Sequence, residues 1–291
     1  MSLESRVCFI QNQPLSPSYN MNINEAYFNL VQSGKHSAVA RVYKHTPGII
    51  LAQHQSLNDI DVNFCREKNL DITVRPTGGA AVYVSPQNTL CYTIILDADA
   101  MNLNRDTTKL YRGFTDLLTN ELEKRGLPVG LSNHGWYVVK KTADSVVPLI
   151  GHSQRVRKNI YQIDGIAHLS KLPMDLVGRA IKMRRFYEHD GEKYILVDGR
   201  YIGKGDYSID DNKSRLIRDE HSELSKMVGF TDMGLSEREF QDIVIDSIQQ
   251  FISCNSLHPE NLSYLGKIED VSHPVGSNEG LGHCFVVMKL D

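Results

Sequence analysis

Short apolar runs separated by turn residues dominate the first hundred residues, and they limit the possible folds more than any other feature of the sequence. Runs of this length, broken by glycine, proline and asparagine, are typical of β-strands. They cover residues 39–43, 49–52, 71–74, 81–84 and 89–96. Because they do not alternate regularly with helices, we predict an α+β fold with a mixed, largely antiparallel sheet. The first two runs flank His45-Thr46-Pro47-Gly48 and predict a hairpin.

Two stretches have the periodicity of amphipathic helices. Leucine and phenylalanine recur at intervals of three and four residues from Leu110 to Leu122, and Gly126 follows as a stop signal. Ser236 and Glu239 form a capping-box pattern before a second apolar stripe. The polar stretch 206–220 resembles a linker. We therefore expect a core over residues 1–205 and a small accessory unit over residues 206–291.

Composition and charge exclude several classes of protein. The net charge of −3 gives no general attraction to nucleic acid or to an anionic membrane. No apolar run approaches the roughly 20 residues of a membrane-spanning helix. The five cysteines are widely spaced and form no C-x-x-C pair, so we expect no disulfide framework, no metal site and a reducing, cytoplasmic setting.

One segment carries the pattern of a binding site. The sequence VRPTGGAAVYV places Arg75 and the pair Gly78-Gly79 between two predicted strands. Glycines allow close approach of a ligand, consecutive backbone N–H groups can bind an anion, and arginine adds a planar cation. The same pattern also fits a tight connection between strands with an ordinary surface arginine.

Five motifs in order resemble the catalytic domain shared by lipoate–protein ligases, octanoyltransferases and biotin–protein ligases. These motifs are NINEAYFNLVQSG, RVYKHTPGIILAQHQSL, RPTGGAAV with NTL, NHGWYVV, and IGHSQRVRKNIYQIDGIAHLS. The biotin–protein ligase pattern G-R-G-R-x-G-R-x-W does not occur, so lipoate–protein ligase is the nearest resemblance.

The resemblance implies a core similar to class II aminoacyl-tRNA synthetases, with an acyl tunnel beside the glycine motif. It implies lipoate or octanoate as substrate, and ATP with Mg²⁺ if the protein is an active ligase. The implied acceptor is a lysine of the lipoyl domain of a 2-oxoacid dehydrogenase E2 or of a glycine-cleavage H protein. The positions that match the acyl- or adenylate-binding motifs are Arg75, Thr77, Gly78, Gly79, Asn133, Gly151, Ser153 and Gln154, and His54 and Gln55 match the pocket mouth.

The sequence departs from the family pattern at the position that matters most. Pro148 stands where the family has a lysine, three residues before the hairpin glycine. Losing a cation beside a developing negative charge costs on the order of 100-fold in rate or more. Lys141 is a candidate for a displaced lysine, and Asp164 replaces the histidine of the His-Gly pair.

No cysteine lies at the hairpin, where a transferase of this superfamily would need its nucleophile. Cys91 lies inside an apolar run and fits a core thiol. Three functions therefore stay open: an ATP-dependent ligase, an ATP-independent octanoyl or lipoyl transferase, and a non-catalytic relative that binds an acyl group or a lipoyl domain.

Overall fold

The computed structural model describes residues 6–10, 13–101, 103, 106–131, 137–141, 146–182, 184–189, 192–197, 200–202, 215–219 and 228–254. Its strands are β1 Arg6–Ile10, β2 Ala38–Tyr43, β3 Gly48–Leu51, β4 Asp71–Val74, β5 Val82–Val84, β6 Thr89–Asp97, β7 Val129–Leu131, β8 Tyr137–Lys141, β9 Val146–Arg157, β10 Ile160–His168, β11 Arg184–His189, β12 Glu192–Val197, β13 Arg200–Ile202 and β14 Arg215–Asp219. Its α-helices are α1 Pro17–Gln32, α2 Val62–Glu67, α3 Thr107–Lys124, α4 Met174–Ala180 and α5 Glu237–Cys254.

A seven-stranded sheet forms the centre of the fold, in the order β1-β2-β6-β10-β9-β8-β7. Its neighbours run antiparallel except β1 and β2, which are parallel. A three-stranded sheet has the order β4-β3-β5, and a four-stranded sheet has the order β13-β12-β11-β14. The predicted α+β fold with a mixed, largely antiparallel sheet is confirmed.

The predicted hairpin between the first two apolar runs is wrong. Strand β2 pairs with β6 in the large sheet, whereas β3 pairs with β4 and β5 in the small one. The segment between β2 and β3 connects a strand of the large sheet to a strand of the small sheet. Gly48 makes this crossing possible, because a Cβ there would lie 2.6 Å from both the Asp71 carbonyl oxygen and the Pro17 side chain.

The two faces of the seven-stranded sheet bury different side chains. One face packs under α3 and α5 in the main apolar core, which includes Tyr92, Ile94, Phe114 and Phe251. The other face packs under α1, where Phe28 belongs to a second apolar cluster. Successive residues of a strand point to opposite faces, so the alternation of side chains along β2, β6 and β10 produces the difference.

The α5 helix extends the main core. Its buried Phe240, Val244 and Phe251 belong to the same cluster as β6 and α3. Ser236 caps it as predicted, because its hydroxyl accepts from the Glu239 N–H while Glu239 accepts from the Ser236 N–H. Thus part of the segment assigned to an accessory unit packs against the core, and the boundary at residue 206 stays a prediction.

Two local expectations are corrected. The polar and basic residues 154–159 predict a turn, but β9 continues to Arg157 and the turn to β10 is only Lys158-Asn159. Residues 215–219 of the expected linker form β14, which pairs with β11. The apolar run 283–288 predicts a further strand, and it lies outside the described residues. No helix in the described segments is long and apolar enough to cross a membrane.

Candidate functional site

Arg75 braces the glycine loop from the inside. Its guanidinium donates to the carbonyl oxygens of Ile50 at 3.2 Å, Gly78 at 2.7 Å and Ala80 at 2.8 Å. The side chain is 8% exposed. The cation that the sequence suggested for an anionic ligand is therefore committed to backbone carbonyls, and it fixes the loop instead.

The two glycines of the loop have different constraints. Gly79 has φ +100°, and a Cβ there would lie 2.8 Å from a guanidinium nitrogen of Arg75. Gly78 has nothing within 4 Å of the corresponding position. Gly79 is thus needed for backbone conformation and for Arg75, whereas Gly78 faces open space where a ligand could approach.

Three polar side chains meet beside this loop. The Ser153 and Thr77 hydroxyl oxygens are 2.8 Å apart, and the Thr77 hydroxyl donates to a carboxylate oxygen of Asp164 at 3.3 Å. Ser153 and Asp164 are direct partners in the β9–β10 register, so they share a face of the sheet. Thr77 reaches them from the glycine loop, which brings together two predicted site residues and one that was noticed only as a departure from the family.

Asp164 is surrounded by hydrogen-bond donors. The Gln162 amide donates to both carboxylate oxygens, at 2.9 and 3.0 Å, and Thr93 donates to one of them at 2.8 Å. Burial nevertheless raises the pKa of Asp164 above its ordinary value, and these hydrogen bonds and the nearby Arg75 oppose that rise. A carboxylate with a raised pKa can accept a proton more readily than an exposed aspartate.

Sequence reasoning missed a polar network that extends from Asp164 under α1. Asn24 donates to Thr93 at 3.0 Å and accepts from Arg41 at 2.7 Å, and the Arg41 guanidinium lies 4.0 Å from the centre of the Tyr43 ring. Burial lowers the pKa of the Arg41 guanidinium. A signal was present, since Arg41, Thr93 and Asp164 are polar residues at alternating positions in otherwise apolar strands.

The predicted pocket mouth lies next to the glycine loop. The Gln53 N–H donates to the Thr77 carbonyl at 3.1 Å, which ties the turn containing His54 and Gln55 to the loop. Gln55 caps its own turn, because its side-chain oxygen accepts from the Ala52 N–H at 3.0 Å. His54 is exposed.

Pro148 lies in β9 opposite Val139 of β8, beside an irregularity in the register. Pairing of β9 with β10 extends only to Ile150, so no ladder bond from β10 requires an N–H at residue 148. Lys141 pairs with Val146, two residues from Pro148 along β9. Its side chain is outside the described residues, so its role as a displaced lysine stays a prediction.

The remaining predicted positions belong to the hairpin or lie outside the description. Gly151 pairs with Ile166 and Gln154 with Ile163 along the β9–β10 ladder. Asn133 is outside the described residues. Arg155 forms an ion pair with Glu25 at 2.6 Å and is half-buried.

The buried cysteines do not have the properties of nucleophiles. Cys91 is 4% exposed, and burial raises its pKa. Cys65 is also buried with a raised pKa, whereas Cys254 is exposed on α5. A thiol needs access and a lowered pKa to react as a thiolate, so Cys65 and Cys91 fit structural roles.

A separate groove lies on the opposite side of the large sheet, between α3 and α5. None of its lining residues belongs to the site; they are Leu117, Asn120, Glu121, Glu123, Lys124 and Gln250. Among the described residues, no group of three or more histidine, cysteine, aspartate and glutamate side chains could hold a metal ion.

Comparison with known proteins defines the family. Residues 16–164 match the lipoyl protein ligase A/B catalytic domain, which includes the glycine loop, Ser153 and Asp164. This match covers more than half of the chain, and the chain belongs to that family. The resemblance to the lipoate–protein ligase, octanoyltransferase and biotin–protein ligase superfamily is thereby confirmed.

The curated relatives that the chain matches are named as octanoyltransferases. The chain is 29% identical over 164 residues to the octanoyltransferase LipM of Clostridioides difficile, covering 56% of this chain and 60% of the relative. It is 29% identical to LipM of Staphylococcus aureus over 47% of each protein. The chain spans about half the length of the curated relatives that it matches.

The solved structures most informative about the fold are lipoate–protein ligases. A bipartite lipoate protein ligase of Thermoplasma acidophilum, studied with its E2 lipoyl domain, superposes with a TM-score of 0.63 and 17% identity, over 86% of this chain and 84% of that one. Lipoate-protein ligase A bound with ATP gives a TM-score of 0.60 and 16% identity over 86% of both chains. These similarities confirm the expected class II synthetase-like fold.

Proposed function

We propose that this protein transfers an octanoyl or lipoyl group from a carrier protein to a lysine of a lipoyl domain or H protein, without ATP. The observation that carries the proposal is the arrangement of Arg75, whose guanidinium donates to three backbone carbonyls of the loop and of β3. A ligase that activates a free acid must stabilise the developing charge on phosphate and carboxyl groups. In the described part of the site, the motif arginine donates to backbone carbonyls and residue 148 is a proline.

This arrangement does not fit activation of a free acid by ATP and Mg²⁺. A thioester donor is already activated, so its transfer to an amine requires no adenylate. The protein then has to position the acyl carbonyl, accept a proton and exclude water. Thr77, Ser153 and Asp164 supply hydroxyl and carboxylate groups for these tasks beside a loop with open space at Gly78.

The ATP-dependent ligase is the second candidate, and the likeness in fold to lipoate-protein ligase A favours it. A non-catalytic acyl-binding relative is the third, favoured by Pro148 alone. In the ligase, Lys141 would supply the missing cation.

One experiment separates the three functions. Purified protein is mixed with an apo-lipoyl domain and either octanoyl-acyl carrier protein without ATP, or lipoate or octanoate with ATP and Mg²⁺. The mass of the intact lipoyl domain is then measured. We expect acylation from the carrier protein without ATP; acylation that depends on ATP supports the ligase, and binding without acylation supports the non-catalytic relative.

A Lys141→Ala variant gives a second readout in the same assay. Transfer from the carrier protein should be retained within about threefold, since no step of the proposed transfer uses this lysine. An ATP-dependent activity that this substitution abolishes would identify a displaced lysine and contradict the proposed transfer.

A further inference from the structure

The hydrogen bonds Ser153–Thr77–Asp164 form a continuous chain that ends on a carboxylate. When the Thr77 hydroxyl donates its single hydrogen to Asp164, the hydroxyl of Ser153 is the donor in its 2.8 Å bond with Thr77. A proton that leaves Ser153 can therefore pass to Thr77 while the Thr77 proton passes to the carboxylate. This is the order that activates a hydroxyl as a nucleophile.

The three side chains are held from different directions. Ser153 and Asp164 are register partners on adjacent strands, and Thr77, which is 1% exposed, is fixed by the loop that Arg75 braces. Gln162 and Thr93 orient the carboxylate of Asp164. Ser153 itself is only half-buried, so a substrate can approach it.

The backbone beside Thr77 adds a second catalytic element. Among the described hydrogen bonds, none is donated by the amide N–H groups of Gly78 or Gly79. Gly78 also has open space at its Cβ position and directly follows Thr77. Amide N–H groups of this kind can stabilise the negative oxygen of a tetrahedral intermediate.

We propose that Ser153 is the nucleophile of this protein and carries the acyl group as an ester, with Thr77 and Asp164 as the proton relay. The inference rests on the transfer proposed above. The Ser153 oxygen bonds to the acyl carbonyl carbon as the carbon–sulfur bond of the donor thioester breaks. The serine proton passes through Thr77 and Asp164 to the departing thiolate.

The second half of the reaction restores the enzyme. The lysine amine of the acceptor attacks the ester, the amide bond forms and the carbon–oxygen bond to Ser153 breaks. A proton from the amine returns through the relay to the serine oxygen. No oxidant, metal or nucleotide is needed for either half, because the thioester supplies the free energy.

The test is to trap the ester in the full chain. Octanoyl-acyl carrier protein is added without acceptor, the mixture is quenched in acid, and the mass of the protein and of the peptide containing residue 153 is measured. We expect one octanoyl group on this peptide in the wild type and none in Ser153→Ala. Ser153→Cys should carry the acyl group as a thioester that neutral hydroxylamine cleaves.

The relay has its own variants and control. Thr77→Val and Asp164→Asn should slow ester formation at least tenfold while the Kd for the donor stays within about threefold, a separation that a merely structural role would not give. Ser170→Ala, on a serine near the far end of β10, should leave the rate unchanged. Circular dichroism of each variant verifies folding.

Two outcomes distinguish the inference from the proposed function. Acyl transfer to the lipoyl domain that continues at the wild-type rate in Ser153→Ala, with no trapped ester, overturns the inference and leaves the transfer intact. Absence of transfer by the wild type with the carrier-protein donor contradicts the proposed function, and the inference fails with it.

Discussion

The two faces of the seven-stranded sheet are built from the same strands but differ in chemistry. The face under α3 and α5 is apolar, with Tyr92, Ile94 and Phe114 among its fully buried side chains. The face under α1 holds a network of hydrogen bonds that includes Arg41, which is 3% exposed, and reaches Asp164. The first face stabilises the fold by excluding water, whereas the second buries polar groups that need hydrogen-bond partners.

This difference indicates which face of such a sheet can hold a functional site. An apolar face tolerates little change in shape and has few polar atoms to pair, such as the Tyr92 hydroxyl, which forms a hydrogen bond with His152. A polar face fixes orientations by hydrogen bonding, and burial there raises the pKa of Asp164 and lowers the pKa of His45. The candidate site lies at the edge of the polar face, where the network meets the glycine loop.

Acidification should destabilise the polar face, and we expect it to lower the free energy of unfolding more than any other change. Burial lowers the pKa of His45 to about 3 and of His168 to about 4, whereas both histidines titrate near 6.5 in the unfolded chain. The unfolded state therefore binds more protons below pH 6.5, and stability is lost as the pH falls. We expect a loss of about 2 kcal/mol for each histidine between pH 7 and pH 5, measured by urea unfolding.

Variants assign this pH dependence. His168→Leu should remove about half of the loss, and an unchanged slope would contradict the prediction. Asp164 contributes with the opposite sign, because its raised pKa lowers stability as the pH rises from about 4 towards that value. Asp164→Asn removes this opposing contribution. Where the range between about pH 4 and the pKa of Asp164 overlaps pH 5 to 7, the variant should therefore lose more free energy of unfolding on acidification than the wild type.

On the apolar side, Gly165→Ala should cost at least about 3 kcal/mol of the free energy of unfolding. A Cβ at Gly165 would lie 2.0 Å from the Tyr92 ring, which is fully buried. The matched control is Gly113→Ala in α3, where the nearest atom, in Phe251, is 3.4 Å away. That change should be neutral or stabilising by up to about 1 kcal/mol, because alanine favours the helix. Equal costs for the two variants would refute this account.

Adjacent residues of β6 compare the two faces directly. Thr93→Val keeps the shape but removes a donor to Asp164 and an acceptor for Asn24, and should cost about 2 kcal/mol. Ile94→Val removes one methylene from the apolar face and should cost about 1 kcal/mol. Guanidinium chloride unfolding of both variants measures the difference, and a smaller cost for Thr93→Val would show that the network contributes little.

The smallest effect is expected in the glycine loop. Gly79→Ala should cost about 1–2 kcal/mol, because its φ of +100° is unfavourable for alanine and its Cβ would displace Arg75. Gly78→Ala should stay within about 0.5 kcal/mol. Thermal unfolding of the pair tests the assignment, and a larger loss of stability in Gly78→Ala would reverse it.

The fold could be predicted from the sequence because it depends on local patterns and on motif order. The apolar run 89–96 became the central strand β6, and the Ser236–Glu239 cap formed as the pattern predicted. The crossing of β3 into another sheet could not be predicted, since the same turn residues serve a hairpin and a crossing equally well.

The site was predictable in its positions and less so in its chemistry. Thr77 and Ser153 were identified by motif, and the structure places their hydroxyl groups in contact. The Arg75 guanidinium donates to three carbonyl groups, supplied by β3 and by the loop. No local sequence pattern predicts this set of acceptors. The partnership of Asp164 with Thr77 likewise depends on how the small sheet meets the large one.

The separations in sequence of these contacts predict the order in which the site assembles. Ser153 and Asp164 are joined by a hairpin with a turn of only two residues, so this pair forms early in folding. Thr77 is 76 residues from Ser153 and arrives only when the small sheet docks. Any partial opening between the sheets therefore interrupts the contact between Thr77 and Ser153 first, while the hairpin beneath stays paired.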